Sequence, residues 1–332
     1  MNTGQRITFK KKIFNISPGN EFEEAALELF RFQSQHNKVY KRYLDLLGTN
    51  TDKISKVRDI PCLPVSLFKT HMIFTENGPA KLVFKSSGTG SMIPSCHYVA
   101  DPELYKTSFK KCFELFYGTP DNYCILALLP SYLERSDSSL VYMVGELLKE
   151  SSHPKSGFYL DDLDSLASIL IELDSNEESV FLMGVSFALL ELVEKYTFTL
   201  KNTIVVETGG MKGKRKELTR EELHSVLKSG FGVKTIHSEY GMTEILSQAY
   251  SVSEGKFFSP PWMNVMIRDA YDPFAYLEAG RNGGINIIDL ANIDSCAFLE
   301  TSDLGRILPD GGFEILGRFD NSDIRGCNLL AE

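Results

Sequence analysis

Tyr123-Cys124-Ile125-Leu126-Ala127-Leu128-Leu129 runs for seven residues without a charge or a turn former. A continuous apolar run of that length, with no polar alternation, predicts a strand covered on both faces. Outward from it the same signal recurs at Lys81–Lys85, Ser179–Met183, Thr203–Val206 and Lys234–His237. Pro102–Tyr117, Leu140–Lys149, Phe187–Tyr196 and Arg220–Leu227 read as the helices between. Strands alternating with helices predict an α/β fold, a mainly parallel sheet with helices on its faces. Ahead of this unit, Phe22, Ala26, Leu29 and Phe30 stand at helical spacing, so Glu21–Leu47 predicts one or two helices. From Trp262 onward the pattern changes. Trp262–Arg268, Gly284–Leu290, Cys296–Glu300 and Gly312–Gly317 are short strand signals separated by Gly, Pro and Asp turns, and predict a smaller antiparallel sheet. There is no internal repeat and no low-complexity linker.

Composition narrows the function classes. The 332 residues are 43% hydrophobic and 24% charged, an ordinary globular balance. A net charge of -9 argues against a nucleic-acid partner, whose footprint is usually a basic face. Lys10, Lys11 and Lys12 read as a solvated terminus. No apolar stretch approaches the roughly 18 residues that a membrane span requires, and the first residues lack the apolar core of a signal peptide. The six cysteines form no Cys-x-x-Cys pair. They read as reduced thiols, most of them buried, in a cytoplasmic protein.

Lys85-Ser86-Ser87-Gly88-Thr89-Gly90-Ser91 follows a strand signal and contains little but Ser, Thr and Gly after its lysine. Such a loop can turn several backbone N–H groups and hydroxyls toward one anion, with Lys85 adding charge. It lacks the Gly-Lys-Ser/Thr ending of a Walker A loop. Alone it reads first as a surface turn. Three further stretches follow it in order: Tyr240-Gly241-Met242-Thr243-Glu244, Thr301-Ser302-Asp303-Leu304-Gly305-Arg306 and Gly317-Arg318-Phe319-Asp320.

This series resembles the core motifs of the adenylate-forming superfamily, which includes acyl-CoA synthetases, firefly luciferase and peptide-synthetase adenylation domains. Leu63–Lys69, His237–Glu244 and Asp323–Leu330 resemble, more narrowly, the acyl-protein synthetase of the bacterial luminescence fatty-acid reductase complex. The resemblance implies an adenylation core over residues 1–316, α/β to about 260 and β-rich after it. Residues 317–332 would form a hinge-like tail, without the carboxyl-terminal lid domain of longer relatives. It also implies ATP and Mg²⁺. Ser86, Ser87, Gly88, Thr89 and Gly90, with Lys85, would hold the departing phosphates. Thr243 would meet the α-phosphate, and Glu244 would hold Mg²⁺. Tyr240 would lie against adenine, with Gly209 and Gly210 of Glu207-Thr208-Gly209-Gly210 passing close to the base. Asp303 would bind the ribose hydroxyls, with Arg318 near the ribose or phosphate. One departure stands out: the superfamily loop usually reads Ser-Ser-Gly-Thr-Thr-Gly, and here Gly90 and Ser91 occupy its last two places.

The implied chemistry activates a carboxylic acid, by resemblance a long-chain fatty acid, as its adenylate. The lid domain, which the resemblance implies is lacking here, would bring a catalytic Lys. Cys327, in Arg325-Gly326-Cys327, is the candidate acyl acceptor, because a thiolate attacks an acyl adenylate to form a thioester. Arg325 would lower its pKa. An acyl reductase, a carrier protein or CoA would be the final acceptor. Two other readings stand beside this one. Gly184-Val185-Ser186-Phe187-Ala188 approximates a nucleophile elbow, which with His237 would make a serine hydrolase or acyltransferase. An adenylate-type fold without catalysis would instead serve as an assembly subunit. His97 and His237 read as structural histidines near the site, and Glu134 and Arg135 as weaker candidates after a strand end.

Overall fold

The computed structural model describes residues 3–75, 79–87, 93–130, 135–209 and 218–319. The chain opens with α1 (Thr3–Ile13), α2 (Asn20–His36) and α3 (Lys38–Leu46). The expected one or two helices over Glu21–Leu47 are two, because Asn37 leaves helical geometry at φ -93 and ψ 106 and caps Tyr40 N with its side chain. The basic terminus is not merely solvated: α1 buries Phe9 and Ile13, and Lys10 bridges to Asp101 at 2.5 Å.

There follow β1 (Leu63–Pro64), β2 (Leu82–Lys85), β3 (Cys96–Val99), α4 (Pro102–Tyr117) and β4 (Cys124–Leu128). Next come α5 (Ser139–Ser151), β5 (Gly157–Phe158), α6 (Leu163–Ser175), β6 (Val180–Val185), α7 (Ser186–Lys195), β7 (Thr203–Thr208), α8 (Arg220–Phe231), β8 (His237–Tyr240) and β9 (Ala249–Ser251). The chain then runs through β10 (Met263–Arg268), β11 (Gly283–Asp289), β12 (Phe298–Ile307) and β13 (Phe313–Arg318).

The first sheet has the order β5-β4-β6-β7-β8-β9 and is parallel except for β9. Every residue of β4 and β6 is buried, as their unbroken apolar sequences require. The second sheet has the order β1-β12-β11-β10, with β13 sharing the free edge of β12 beside β1. It is antiparallel apart from the short β1, and at five strands it is only one smaller than the first. β2 and β3 form a separate hairpin.

The strand signal at Lys234–His237 is displaced. β8 starts at His237, because its ladder reaches only Val206, Glu207 and Thr208 at the carboxyl end of β7. Ile236 is buried ahead of the ladder. The amino-terminal helices are keyed to the second sheet by side chains. Gln33 Nε2 donates to Asn292 O (2.8 Å) and Ile293 O (2.9 Å), and its Oε1 accepts from Ala297 N. The large aromatics Phe30, Phe84, Phe113, Phe181, Phe231, Phe257 and Phe298 are fully buried.

Candidate active site

The carboxyl end of β8 meets β12 and β13, and there the sequence motifs come together. Ligands of open α/β sheets characteristically bind beyond these strand ends. Tyr240 ends β8 and donates its hydroxyl to Asp303 Oδ2 at 2.7 Å. Its ring lies edge-on to Phe257 and Phe313, with centroids 6.1 and 5.9 Å away. Burial, reinforced by the charge of Asp303, holds the Tyr240 pKa well above its ordinary value, so the phenol remains a donor. Arg318 stands opposite Asp303 in the β12–β13 ladder, and its Nε donates to Asp303 Oδ1 at 2.8 Å. Asp303 is buried, whereas Arg318 is exposed at the rim.

Thr243 and Glu244 lie on the loop after β8. His97 Nδ1 sits 2.7 Å from the Thr243 carbonyl, and its Nε2 sits 3.1 Å from Asn292 Oδ1. Asn292 Nδ2 donates to Glu244 O at 2.8 Å. Burial draws the His97 pKa down to about 4, although both of its contacts favour the charged ring. His97 is thus a buried structural histidine that fixes the loop. The Glu244 carboxylate is buried too. Desolvation raises its pKa, opposed by a hydrogen bond from Ser95 and the charge of Arg318.

Ser95 links this carboxylate to the serine-rich loop. Ser95 N donates to Ser86 Oγ (2.9 Å), and Ser86 N to Ser95 O (3.0 Å), closing the mouth of the β2–β3 hairpin. Lys85 and Ser87 are exposed there, with Lys85 N bound to Asp137 O at 2.7 Å. Gly88, Thr89 and Gly90 lie outside the described residues, as do Ser91, Glu134, Gly210, Arg325 and Cys327. Arg135 pairs with Asp137 through Nε at 3.1 Å. The other five cysteines are free thiols, with Cys62, Cys112, Cys124 and Cys296 buried as expected.

Beneath the strand ends lies a layer of buried carboxylates. Glu239 Oε2 accepts from Thr208 Oγ1 at 2.5 Å, and burial raises its pKa to about 7. A Cβ on Gly241 would fall 2.4 Å from Glu239 Oε1, so this position admits only glycine without displacement. Gly209 turns the chain off β7 at φ +66, which favours glycine. Ser186, at the start of α7, lies 2.6 Å from Gly209 O and 3.1 Å from Glu207 Oε2. His237 instead meets the Tyr117 hydroxyl at 3.3 Å. Ser186 and His237 are therefore not a hydrolytic pair, and the buried serine hydroxyl is consumed by the Gly209 turn.

The sequence reading passed over Arg268, the last residue of β10. It is buried, and donates from Nη1 to Ile285 O and Asn286 Oδ1 (both 2.9 Å) and from Nη2 to Thr301 O (2.8 Å). The signal available is a lone arginine ending the strand pattern Trp262–Arg268, and nothing local sets it apart from a surface charge.

No protein-family model matches the sequence, and no curated protein does. Solved structures do match. ATP-bound MatB from Rhodopseudomonas palustris superposes with a TM-score of 0.54 over 73% of this chain, at 18% identity. A 2-hydroxyisobutyryl-CoA ligase in its postadenylation state, with 2-HIB-AMP, superposes with a TM-score of 0.68 over 90%, at 13% identity. The chain has the fold of the adenylate-forming ligases. The open form of the 2-hydroxyisobutyryl-CoA ligase, with 2-HIB-AMP and CoA, gives a TM-score of 0.64 over 92% at 12% identity. The chain spans about half the length of MatB, 49%, and 67% of the postadenylation ligase chain. Identities this low establish likeness of fold. Among the described residues no helix is long and apolar enough to cross a membrane.

Proposed function

We propose that this chain is an adenylation core that joins a carboxylic acid to AMP, using ATP, and passes the acyl group to a thiol. The observation that carries the reading is the convergence of Tyr240, Asp303 and Arg318 at the mouth of β8. Motifs more than sixty residues apart in the chain meet on one carboxylate there, in a fold shared with an ATP-bound protein.

In the first step a carboxylate oxygen bonds to the α-phosphorus of ATP, and the bond to the bridging oxygen breaks, releasing pyrophosphate. The chain's task is to position the reactants and offset charge. The carboxylate of Asp303 accepts from the ribose hydroxyls. Tyr240 holds that carboxylate from below and presents its ring to the base. Arg318, exposed at the rim, offsets phosphate charge. Gly209 and Gly210 let the backbone approach the base. Thr243 meets the α-phosphate, while Ser86, Ser87, Gly88, Thr89 and Gly90, with Lys85, receive the leaving phosphates.

Glu244 fits a hard cation, being a buried carboxylate oxygen donor whose ionised form is disfavoured until a positive charge arrives. Among the described residues no three His, Cys, Asp or Glu gather as a metal site. Glu244 would hold Mg²⁺, and the cation would neutralise charge on the departing group.

In the second step a thiolate attacks the acyl carbon, AMP leaves with the carboxyl oxygen, and a thioester remains. Cys327 is the proposed acceptor, a long-chain fatty acid the proposed substrate, and an acyl reductase, carrier protein or CoA the onward acceptor. These finer assignments rest on the resemblance of Leu63–Lys69, His237–Glu244 and Asp323–Leu330 to the acyl-protein synthetases. Intact-protein mass after incubation with ATP, Mg²⁺ and a panel of fatty acids tests them. The expected result is an ATP-dependent acyl adduct that neutral hydroxylamine removes and Cys327→Ser abolishes. AMP release without an adduct would retain the ligase and move acceptance to CoA or a partner protein. Neither product with any acid would favour a non-catalytic assembly subunit.

A further inference from the structure

The ladder between β11 and β12 is interrupted where the candidate ribose carboxylate sits. Gly284 pairs with Leu304 and Asn286 with Glu300, so Ile285 alone stands opposite Thr301, Ser302 and Asp303. A bulge of this kind re-aims side chains, and here it carries Asp303 toward Tyr240. It also leaves backbone carbonyls without ladder partners in a buried region, which is costly unless something else donates to them.

Arg268 supplies those donors. Its Nη1 reaches Ile285 O at 2.9 Å and its Nη2 reaches Thr301 O at 2.8 Å, bridging the two strands across the gap. Thr301 Oγ1 donates to the same Ile285 carbonyl at 2.8 Å and accepts from Asp303 N at 3.1 Å. Along that chain the guanidinium lies three hydrogen bonds from the Asp303 backbone. Its bed is built for it. A Cβ at Gly284 would fall 2.3 Å from Arg268 Cζ, so only glycine leaves the room. Glu300 lies 3.7 Å away on one side, and the Phe319 ring covers the other with its centroid 5.5 Å from Cζ. Phe319 N in turn donates to Ser302 O at 2.8 Å, so the bulge is gripped from both faces.

We infer that Arg268, clamped by Phe319, is a positioning residue that sets the aim of Asp303 and hence the enzyme's hold on the ribose hydroxyls. This rests on the nucleotide reading of the site given above. A planar guanidinium fixes two carbonyls at once, which a lysine cannot do in the same space.

Equilibrium binding of ATP and of 2′-deoxy-ATP to wild type, Arg268→Lys, Arg268→Met and Phe319→Leu tests it, with thermal unfolding of each variant as the folding control. Wild type should prefer ATP by about fivefold or more, the worth of one hydrogen bond. The Arg268 variants should bind ATP about tenfold more weakly and lose most of the preference for the 2′-hydroxyl. Loss of packing alone would weaken both nucleotides equally. Phe319→Leu, which leaves every Arg268 hydrogen bond possible, should fold as wild type and show a smaller loss of the same kind. Folded variants that keep the wild-type preference would overturn the role of Arg268 while leaving the nucleotide site standing. Wild type that binds neither nucleotide would overturn the site itself.

Discussion

The Tyr240 hydroxyl donates to Asp303 Oδ2 at 2.7 Å and thereby ties the last residue of β8, in the parallel sheet, to the bulge of β12 in the other. The bond is buried, and the second Asp303 oxygen is taken by Arg318. Tyr240→Phe removes one donor from a buried carboxylate and should cost about 1–3 kcal/mol of stability. Combined with Asp303→Ala in a denaturant-unfolding cycle, the two losses should be well short of additive. Additivity would mean that the bond contributes nothing.

Gly241→Ala places a methyl against the Glu239 carboxylate, and its contact distance of 2.4 Å forces one of them to move. Overpacking of this kind should cost about 1–3 kcal/mol in thermal unfolding. Because the loop carrying Thr243 and Glu244 begins at this residue, acid-dependent AMP formation should fall more than stability alone explains. Wild-type stability and activity in the variant would contradict the packing described here.

The buried acid Glu239 gives a pH signature with a definite sign. Its pKa is raised to about 7, so between its unfolded value and 7 the folded protein holds a proton that the unfolded chain has lost. Its contribution to stability is full at low pH and is lost as pH rises through about 7. His97 and His237, lowered to about 4 by burial, act oppositely: their contribution is present above the ordinary imidazole range and is lost as pH falls toward 4. Glu239→Gln should therefore gain stability relative to wild type as pH rises from about 5 to about 8. A stability difference independent of pH would show that Glu239 is ionised throughout.

Ser186 binds the Gly209 turn and is closed to solvent, so it should be no nucleophile. An organophosphonate probe should leave the intact mass unchanged. Ser186→Ala should retain acid-dependent AMP formation, with a stability loss of about 1 kcal/mol for the missing hydrogen bond. A probe adduct abolished by Ser186→Ala would restore the hydrolase reading.

Long-range order was readable where one physical rule dominated. The apolar runs at Cys124–Leu128 and Val180–Val185 are buried throughout and could hardly be anything but central strands. Helix α4 matches its expected bounds, with Pro102 as its first residue and Gly118 after its end. α6 went unread although Leu163, Leu166, Ala167, Leu170 and Leu173 stand at helical spacing. β5 and β1 are two residues each and carry too little pattern to register, and β12 runs past the predicted end at Glu300 to Ile307, a continuation that the polar residues Thr301, Ser302 and Asp303 of the bulge hide in the sequence. At the site, Tyr240, Asp303 and Arg318 were legible as motif residues. The dependence of Asp303 on Arg268 was not, since it arises from a register shift between strands that no single segment encodes.

The central claim is adenylation, and acid-dependent exchange of labelled pyrophosphate into ATP reads that half-reaction without any thiol acceptor. With Mg²⁺ and a panel of carboxylic acids, wild type should exchange label only when a suitable acid is present. Asp303→Ala should reduce the rate by at least about tenfold, and Cys327→Ser should leave it unchanged. Tight ATP binding with no exchange for any acid would contradict the account and leave a nucleotide-binding fold without ligase chemistry.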